Sequence, residues 1–325
     1  MVLREAATGS LRAPRAAADR WMSVTPPAVP DAARRRRLTQ DLLAWAESVR
    51  ADLPWRNTRD PWAILVSESM LQQTQVARVV PAYLAFLARF PTPAACAEAP
   101  VAEVVRAWEG LGYNRRALHL HRAAQAVVDE HGSRLPDDLD SLLALPGVGA
   151  YTARAVLVFA RGRDHGVVDT NAARVLARAM AGRRLGASAA QELADEVVPL
   201  GRGWAWNQAM LDLGSQVCIK RRPRCEVCPI VRSCAWARAG FAGVDPVDGT
   251  AGVAGRQTSF VGSDRQGRGR LVQALRTGPV DLDRVPDVAG WPDEPARARR
   301  IADGLVGEGL AEYVDGQLAL PNTAR

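Results

Sequence analysis

Hydrophobic side chains recur at helical spacing through most of this 325-residue chain. From residue 61 to residue 160 the pattern predicts one helix after another, each ended by proline or glycine. A helix at 39–51 precedes this block, and a second helical block follows at 170–234. No stretch alternates convincingly enough between apolar and polar positions to predict a large sheet. The sequence therefore predicts an all-α central body.

The two ends of the chain have different patterns. Residues 1–37 are rich in Ala, Arg and Pro without periodicity, which predicts a disordered tail. Residues 237–262 are rich in Gly, Ala and Val and predict a linker. In residues 263–325, two helices precede a hairpin signal at Asp315-Gly316, which indicates a winged-helix-like module. The module either binds DNA or only supports the body.

The chain is basic, with a net charge of +7 and an isoelectric point of about 9.7. Residues 1–37 have a net charge of +5 and residues 38–240 a net charge of +4, whereas residues 241–325 are at −2. A polyanion such as DNA is the expected partner of the tail and the body. The sequence shows neither a membrane-spanning run nor the apolar core of a secretion signal. A cytoplasmic protein without membrane contact is expected.

Four of the five cysteines lie close together in the sequence. Cys218, Cys225, Cys228 and Cys234 have the spacing C-x6-C-x2-C-x5-C, which suits a zinc ion or an iron–sulfur cluster. A single C-x2-C pair with longer flanks favours a [4Fe–4S] cluster, while zinc stays open. Arg221 and Arg222 lie between the first two cysteines, where an anchored loop would present them to phosphates.

Residues 145–149 predict a tight hairpin between two helices. Pro146, Gly147 and Gly149 allow backbone amides to approach a phosphate without obstruction by side chains. This helix-hairpin-helix pattern is typical of proteins that bind duplexes without reading their sequence. Alone, this pattern is only moderately specific for proteins that bind duplexes, because many helical hairpins need glycine.

Two carboxylates stand out as candidate catalytic groups. Glu68 lies on the apolar face of its predicted helix, where it is either paired with a structural arginine or neutral with a raised pKa. Asp169 precedes a predicted helix and could be only its N-cap. On the residues alone, the structural interpretation of both carboxylates is favoured.

Together these features resemble the endonuclease III-like DNA glycosylases, and within them the MutY-type branch that acts on A/G mispairs. The resemblance covers residues 38–236, through segments 53–56, 67–75, 110–113, 145–149, 169–171 and 207–214 and the four cysteines. It implies a helix-hairpin-helix glycosylase fold with a six-helix barrel domain at 55–162. It also implies an iron–sulfur domain formed by 38–54 and 163–236, which holds the [4Fe–4S] cluster.

The resemblance implies the following roles. Glu68 would protonate adenine, Asp169 would stabilise the sugar cation, and Asn171 would orient water or Asp169. Tyr151 stands where bifunctional relatives have a Schiff-base lysine, so base excision without a lyase step is expected. The residues implied to contact DNA or the lesion are Trp55, Arg56, Gln73, Thr74, Leu111 and Tyr113. The implied partner is duplex DNA with A:8-oxoguanine or A:G mispairs, bound by a monomer at the nucleoid.

The chain departs from this family at its carboxyl end. Family members usually have a Nudix-like domain that recognises 8-oxoguanine, whereas here only the short module follows, so lesion recognition is expected to depend on the body. Two alternatives remain. One is a sibling glycosylase acting on mismatched thymine or oxidised pyrimidines, whose members typically lack Glu68. The other is a non-catalytic iron–sulfur regulator that binds DNA.

Overall fold

Helix α1 spans Ala32–Val49 in the computed structural model, which describes residues 30–251 and 259–322. Asp31 caps α1 by accepting a hydrogen bond from Arg34 N at 2.9 Å, so the helix begins before the predicted residue 39. The Arg34 side chain also donates to Ser233 O at 2.7 Å, which anchors this turn on a distant segment. Residues 32–37 were therefore wrongly predicted to be disordered. The remainder of the predicted tail, residues 1–29, lies outside the described residues.

In the fully described stretch 55–162, seven α-helices occur where six were predicted. They are α2 (Pro61–Leu71), α3 (Val76–Arg89), α4 (Pro93–Glu98), α5 (Val101–Ala107), α6 (Arg115–His131), α7 (Leu139–Ala144) and α8 (Ala150–Arg161). Pro100 forms the extended N-cap of α5, and so it separates α4 from α5. A short 3-10 turn, Pro54–Arg56, precedes α2.

The second helical block begins after residue 169. It comprises α9 (Thr170–Val175), α10 (Ala187–Val197), α11 (Gly203–Gln216) and the short α12 (Ala235–Arg238). A π-helical segment, Leu176–Ala181, continues directly from α9. Two 3-10 turns, Cys225–Val227 and Val231–Ser233, lie in the cysteine-rich loop between α11 and α12.

Two hydrophobic cores organise the residues that the structure describes. The first contains residues from Trp55 to Val167, among them Trp62, Phe86 and Trp108, and it continues into the carboxyl-terminal module through Leu271 and Leu318. The second joins α1 to α9–α11 and the cysteine loop. The cleft described below lies where residues of the two cores face each other.

The segment after α12 packs on the protein, although the sequence predicted a linker over 237–262. Asp245 forms a bidentate ion pair with Arg178, with N–O distances of 2.9 and 2.6 Å. Val247 and Thr250 are buried at 1% and 3% exposure. The linker predicted over 237–262 is therefore wrong for residues 245–251, because the buried Arg178 beside the second core needs the Asp245 carboxylate.

The carboxyl-terminal module contains three helices and a small sheet. The helices are α13 (Asp264–Thr277), α14 (Val285–Ala289) and α15 (Pro295–Glu308), and the strands are β1 (Val280–Asp281), β2 (Glu312–Val314) and β3 (Gln317–Ala319). The antiparallel order is β1-β3-β2, with Leu318 opposite both Val280 and Tyr313. The predicted hairpin is confirmed, with positive φ at Asp315 and Gly316. The sequence did not reveal β1 or α14.

The mostly helical fold with a small terminal module is confirmed. In the part of the chain that the structure describes, no helix is long and apolar enough to cross a membrane.

Candidate functional site

A cleft of about 1040 Å³ brings together the four predicted catalytic residues and four of the residues predicted to contact DNA. Trp55, Arg56, Gln73 and Thr74 line one region of it, and Glu68, Tyr151, Asp169 and Asn171 line another. The sequence did not single out Gln208, Asp212 and Ser215 of α11 as individual lining residues, although they belong to or adjoin the segment 207–214. A concave, partly polar site of this size can hold a nucleoside.

Glu68 is the buried acid of the cleft. It lies on α2, is 5% exposed, and has an Oε2 atom that is buried without a hydrogen-bond partner among the described residues. The pKa of Glu68 is raised to about 7, mainly by burial and also by the nearby charge of Asp169, while a hydrogen bond with Tyr151 opposes the shift. The site therefore keeps Glu68 largely protonated up to about pH 7, as a general acid requires.

Tyr151 lies near the start of α8 and lines the cleft together with Glu68. Burial and the neighbouring carboxyl groups of Glu68 and Asp169 raise the pKa of Tyr151 well above its ordinary value. The phenol therefore stays protonated and acts as a hydrogen-bond donor in the cleft.

Asp169 is the N-cap of α9, as the sequence suggested, and it also faces the cleft. Its Oδ1 accepts hydrogen bonds from Asn171 N and Ala172 N, both at 2.7 Å, and its Oδ2 accepts one from Asn171 Nδ2 at 2.6 Å. Burial raises the pKa of Asp169, while these three donors and the charge of Arg174 favour its ionised form. Asn171 thus fixes the orientation of this carboxylate.

Arg174 is a site-supporting residue that the sequence did not reveal. Its Nη2 donates to Asn171 Oδ1 at 2.7 Å, and its Nε donates to Cys218 O at 3.1 Å. The guanidinium therefore joins the amide beside Asp169 to the cysteine-rich loop. A buried arginine on α9 could have been suspected only from its position one helical turn after Asn171.

Arg56 forms an ion pair within the protein, whereas the resemblance implies that it contacts DNA. Its Nη2 lies 2.7 Å from Asp212 Oδ1, and both side chains are less than a tenth exposed. Arg56 therefore pairs with Asp212 across the cleft wall instead of standing free for a phosphate. Trp55 is buried, with its ring edge against Tyr83 at a centroid distance of 5.5 Å.

Two loops at the rim contain the residues expected to contact the lesion strand. Gln73 is exposed and has a φ of 56°, and Tyr113 is 48% exposed with a φ of 46°. Thr74 lies between them and can donate to Leu111 O at 3.4 Å. Leu111 itself is only 4% exposed within the first core, so it does not protrude as a wedge. Its apolar side chain is more stable in the core than at the rim.

Arg116 holds the two loops together, and the sequence did not single it out. Its Nη1 donates to the carbonyl oxygens of Ser69, Met70 and Gln72 at 2.7–2.9 Å, at the end of the helix that carries Glu68. Its Nη2 donates to Thr74 Oγ1 at 3.0 Å and to Gly112 O at 3.1 Å. Burial lowers the pKa of Arg116 to about 10, so it remains charged at neutral pH.

The predicted hairpin connects α7 to α8. Gly147 has a φ of 76°, and a Cβ at this position would lie 2.5 Å from His119 Cβ, so glycine is required there. Gly149 is exposed and open space surrounds it, and Pro146 is half-buried. The hairpin therefore presents an unobstructed backbone at the N-terminus of α8.

The four predicted ligand cysteines line one pocket. Val175, Leu213, Ile230 and Trp236 supply apolar walls, and Arg178 Nη1 lies 3.5 Å from Cys218 Sγ. Among the described residues, no three potential ligands are arranged for a single metal ion. Four thiols around one pocket are a donor set that a four-iron cluster uses, so the residues present fit that group.

Arg178 also fixes the loop between the first two cysteines. It donates to Ile219 O at 2.7 Å and to Lys220 O at 3.0 Å. Arg221 and Arg222 follow directly and are both exposed, the latter at a φ of 54°. The protein thus presents two cations on an anchored backbone.

A helical hairpin, a nucleoside-sized cleft and two carboxylates with different surroundings define a base excision enzyme of the helix-hairpin-helix type. Residues 66–200 match the model of the HhH-GPD superfamily, described as base excision DNA repair proteins. The chain is 43% identical over 285 residues to an adenine DNA glycosylase of Mycolicibacterium smegmatis, covering 86% of this chain and 94% of that relative.

A human adenine DNA glycosylase is 40% identical over 210 residues, which are 59% of this chain and 38% of that protein. A solved thermostable thymine-DNA glycosylase superposes with a TM-score of 0.59 at 30% identity, over 64% of this chain and 98% of that one. The chain therefore belongs to the MutY-type branch of the HhH-GPD superfamily, and it is a DNA N-glycosylase that binds DNA.

Proposed function

We propose that this protein is a monofunctional, monomeric glycosylase that excises adenine paired with 8-oxoguanine or guanine during base excision repair at the nucleoid. The observation that carries the proposal is the pair of Glu68 and Asp169. One carboxyl is buried with a pKa of about 7, and the other is held by three N–H donors in the same cleft. Such a difference in surroundings assigns acid and anion roles to two carboxyl groups.

The proposed chemistry begins with extrusion of adenine from the duplex, because its glycosidic bond is not accessible within the stack. Glu68 donates its proton to N7 of adenine, and the bond between C1′ and N9 breaks with its electron pair moving to the base. The Asp169 carboxylate stabilises the cationic sugar, held in position by Asn171. Water then adds its hydroxyl to C1′, and its remaining proton passes to a carboxylate of the cleft.

DNA would be held by groups outside the reacting centre. The hairpin at 145–149 and the exposed Arg221 and Arg222 would contact the phosphates. Gln73, Thr74 and Tyr113 would face the lesion strand at the rim. We further propose that Cys218, Cys225, Cys228 and Cys234 bind a [4Fe–4S] cluster, which would fix the basic loop and take no part in base excision. The pocket shared by the four thiols supports this assignment.

Excision of mismatched thymine is the second candidate, because a thymine-DNA glycosylase shares the fold at 30% identity. Thymine has no N7 that could accept a proton, so a buried neutral carboxyl beside the base would assist the release of thymine less than the release of adenine. The same buried group disfavours a purely regulatory protein, since a buried carboxyl whose Oε2 has no hydrogen-bond partner among the described residues costs stability without serving chemistry.

A base-release assay on four duplexes, with A:8-oxoguanine, A:G, T:G and thymine glycol, tests the proposal. We expect fast release of adenine opposite 8-oxoguanine, slower release opposite guanine, and no release from the other two. Borohydride should trap no protein–DNA adduct, because Tyr151 has no amine. Release of thymine with adenine untouched would overturn the proposed substrate, and no release from any duplex would favour a regulator.

A further inference from the structure

The loop that carries Tyr113 has an unusual backbone. Gly110, Gly112 and Tyr113 have φ values of 78°, 70° and 46°. A tyrosine in the left-handed region is strained, and such a conformation persists only where surrounding contacts hold it. The contacts of this loop therefore decide where the exposed Tyr113 ring points.

Contacts from the body hold the first half of the loop. Trp108 Nε1 donates to Gly112 O at 3.2 Å, and Arg116 Nη2 donates to Leu111 O and Gly112 O at 3.2 and 3.1 Å. These side-chain hydrogen bonds end at Gly112. Tyr113 itself is contacted by Arg116, whose backbone N–H donates to Tyr113 O at 2.9 Å and whose guanidinium lies 5.6 Å from the centre of the Tyr113 ring. The residue on the other side of Tyr113 is Asn114.

Asn114 is held by the carboxyl-terminal module. Arg276, in the last turn of α13, donates from Nη2 to Asn114 Oδ1 at 2.7 Å and from Nε to Val105 O at 3.1 Å. Asn114 is 8% exposed and stands at the N-cap of α6, yet its side chain makes no capping hydrogen bond. The oxygen that would ordinarily cap α6 is directed to Arg276 instead.

The module can act as a rigid support for this contact. Leu271, Val272 and Leu275 of α13 are buried in the same core as the body helices. Arg106 Nε donates to Arg276 O at 3.2 Å, and Gln273 Nε2 donates to Glu109 Oε1 at 2.6 Å, just before the loop. Arg276 thus reaches the loop from a fixed backbone.

We propose that Arg276 is a positioning residue through which the carboxyl-terminal module braces the Tyr113 loop for DNA binding. The module raises affinity for DNA by fixing Asn114, and so Tyr113, without itself contacting the lesion. The inference rests on the proposed function in one respect, namely that Tyr113 contacts the DNA.

The first test is amide hydrogen exchange of residues 109–115 in the DNA-free, full-length protein. Arg276→Ala should accelerate exchange in this segment roughly tenfold, as loss of a charge-assisted hydrogen bond allows. Asn114→Ala should have the same effect, and the double variant should exchange no faster than either. Arg297→Ala is the matched control, because Arg297 pairs with Asp264 and stacks on Trp291 wholly within the module.

The second test is a double-mutant cycle on DNA affinity, measured by fluorescence anisotropy with an A:8-oxoguanine duplex. Arg276→Ala alone should weaken binding about fivefold to tenfold. In the Tyr113→Ala background the same change should cost less than about twofold, because the loop then has no ring to position. Arg297→Ala should leave affinity unchanged in both backgrounds, even if it lowers the melting temperature.

Each outcome bears on the proposal. Unchanged loop exchange in both Arg276→Ala and Asn114→Ala would show that the module does not brace the loop. Equal losses of affinity with and without Tyr113 would show that Arg276 acts by another route. Neither readout needs base release, so a failure of adenine excision in the wild-type protein would leave both measurements interpretable.

Discussion

The phenol of Tyr151 and the carboxyl group of Glu68 lie together in the cleft where α8 packs against α2, and each shifts the pKa of the other. This contact makes the start of α8, the second helix of the hairpin, part of the cleft wall. The element that would hold DNA therefore also affects the pKa of Glu68. Because Tyr151 stays protonated, its hydrogen bond stabilises the anion that Glu68 leaves after giving up its proton.

Replacing Glu68 by glutamine should remove the acid while preserving its shape. We expect single-turnover adenine excision to fall at least about a hundredfold, with DNA affinity within about twofold of wild type. Rapid-quench excision and anisotropy titrations measure the two quantities. Ser69→Ala on the same helix is the control and should keep excision. A Glu68→Gln enzyme that retained more than a few per cent of the rate would show that Glu68 is structural.

The excision rate should depend on pH through Glu68. Since its pKa is about 7, the rate should fall as pH rises above 7, approaching about tenfold per unit. The measurement is single-turnover excision from pH 5.5 to 9 with saturating protein. A flat profile across this range would contradict the assignment of Glu68 as the proton donor.

Glu68 should also make stability depend on pH. The raised pKa means that the folded protein binds more protons than the unfolded chain between 4.5, the ordinary value, and about 7. The free energy of unfolding should therefore fall as pH rises through this window, by about 3 kcal/mol at most. Chemical denaturation at several pH values should show the decline in wild type and a smaller decline in Glu68→Gln. Equal declines would mean that other groups cause it.

The cysteine pocket should yield about four irons per chain in protein purified without oxygen. Iron and zinc analysis with visible absorption measures the content. Cys225→Ser or Cys228→Ser should lose iron together with folding or DNA affinity, whereas Cys96→Ser, a change at a buried thiol outside the pocket, should keep the iron. One zinc per chain without iron would reverse the assignment.

Arg221 and Arg222 should contribute to DNA affinity through phosphates. Their replacement by alanine should weaken binding to matched and mispaired duplexes alike and flatten the salt dependence by about one unit of slope per lost contact. Arg299 and Arg300 on α15 provide a control with the same change in charge, and their replacement should leave the slope unaltered. An unchanged slope in the first variant would show that the basic loop is only solvated.

Substitutions at the two hairpin glycines should distinguish an effect on folding from an effect on phosphate binding. Gly147→Ala should lower stability by about 1–3 kcal/mol, because the new methyl group meets His119 at a left-handed residue. Gly149→Ala should fold normally, because open space surrounds this position, yet weaken DNA binding by obstructing the phosphate. Thermal denaturation and anisotropy measure the two effects. Full DNA affinity in Gly149→Ala would place the phosphate elsewhere.

The sequence by itself determined the features that depend on local patterns. Helical periodicity predicted the all-α body, the spacing of the cysteines predicted their common site, and Asp315-Gly316 predicted the terminal hairpin. Each feature depends on residues within a few positions of one another, where backbone preferences act directly. The apolar face around Glu68 is of the same kind, and it correctly indicated a buried carboxyl.

Tertiary structure decided how distant segments meet. Glu68 and Asp169 are about a hundred residues apart in the chain, and only the packing of α2 on α8, and of α11 on α8 and α9, brings them into one cleft. The ion pair between Arg56 and Asp212 likewise depends on a long-range contact that no local pattern specifies. The same holds for the ion pair between Arg178 and Asp245. Leu111 was expected to contact the lesion strand and is buried, because its apolar side chain is more stable in the core than in water. The contact of Arg276 with Asn114 also depends on tertiary structure, since it forms only when the carboxyl-terminal module packs on the body.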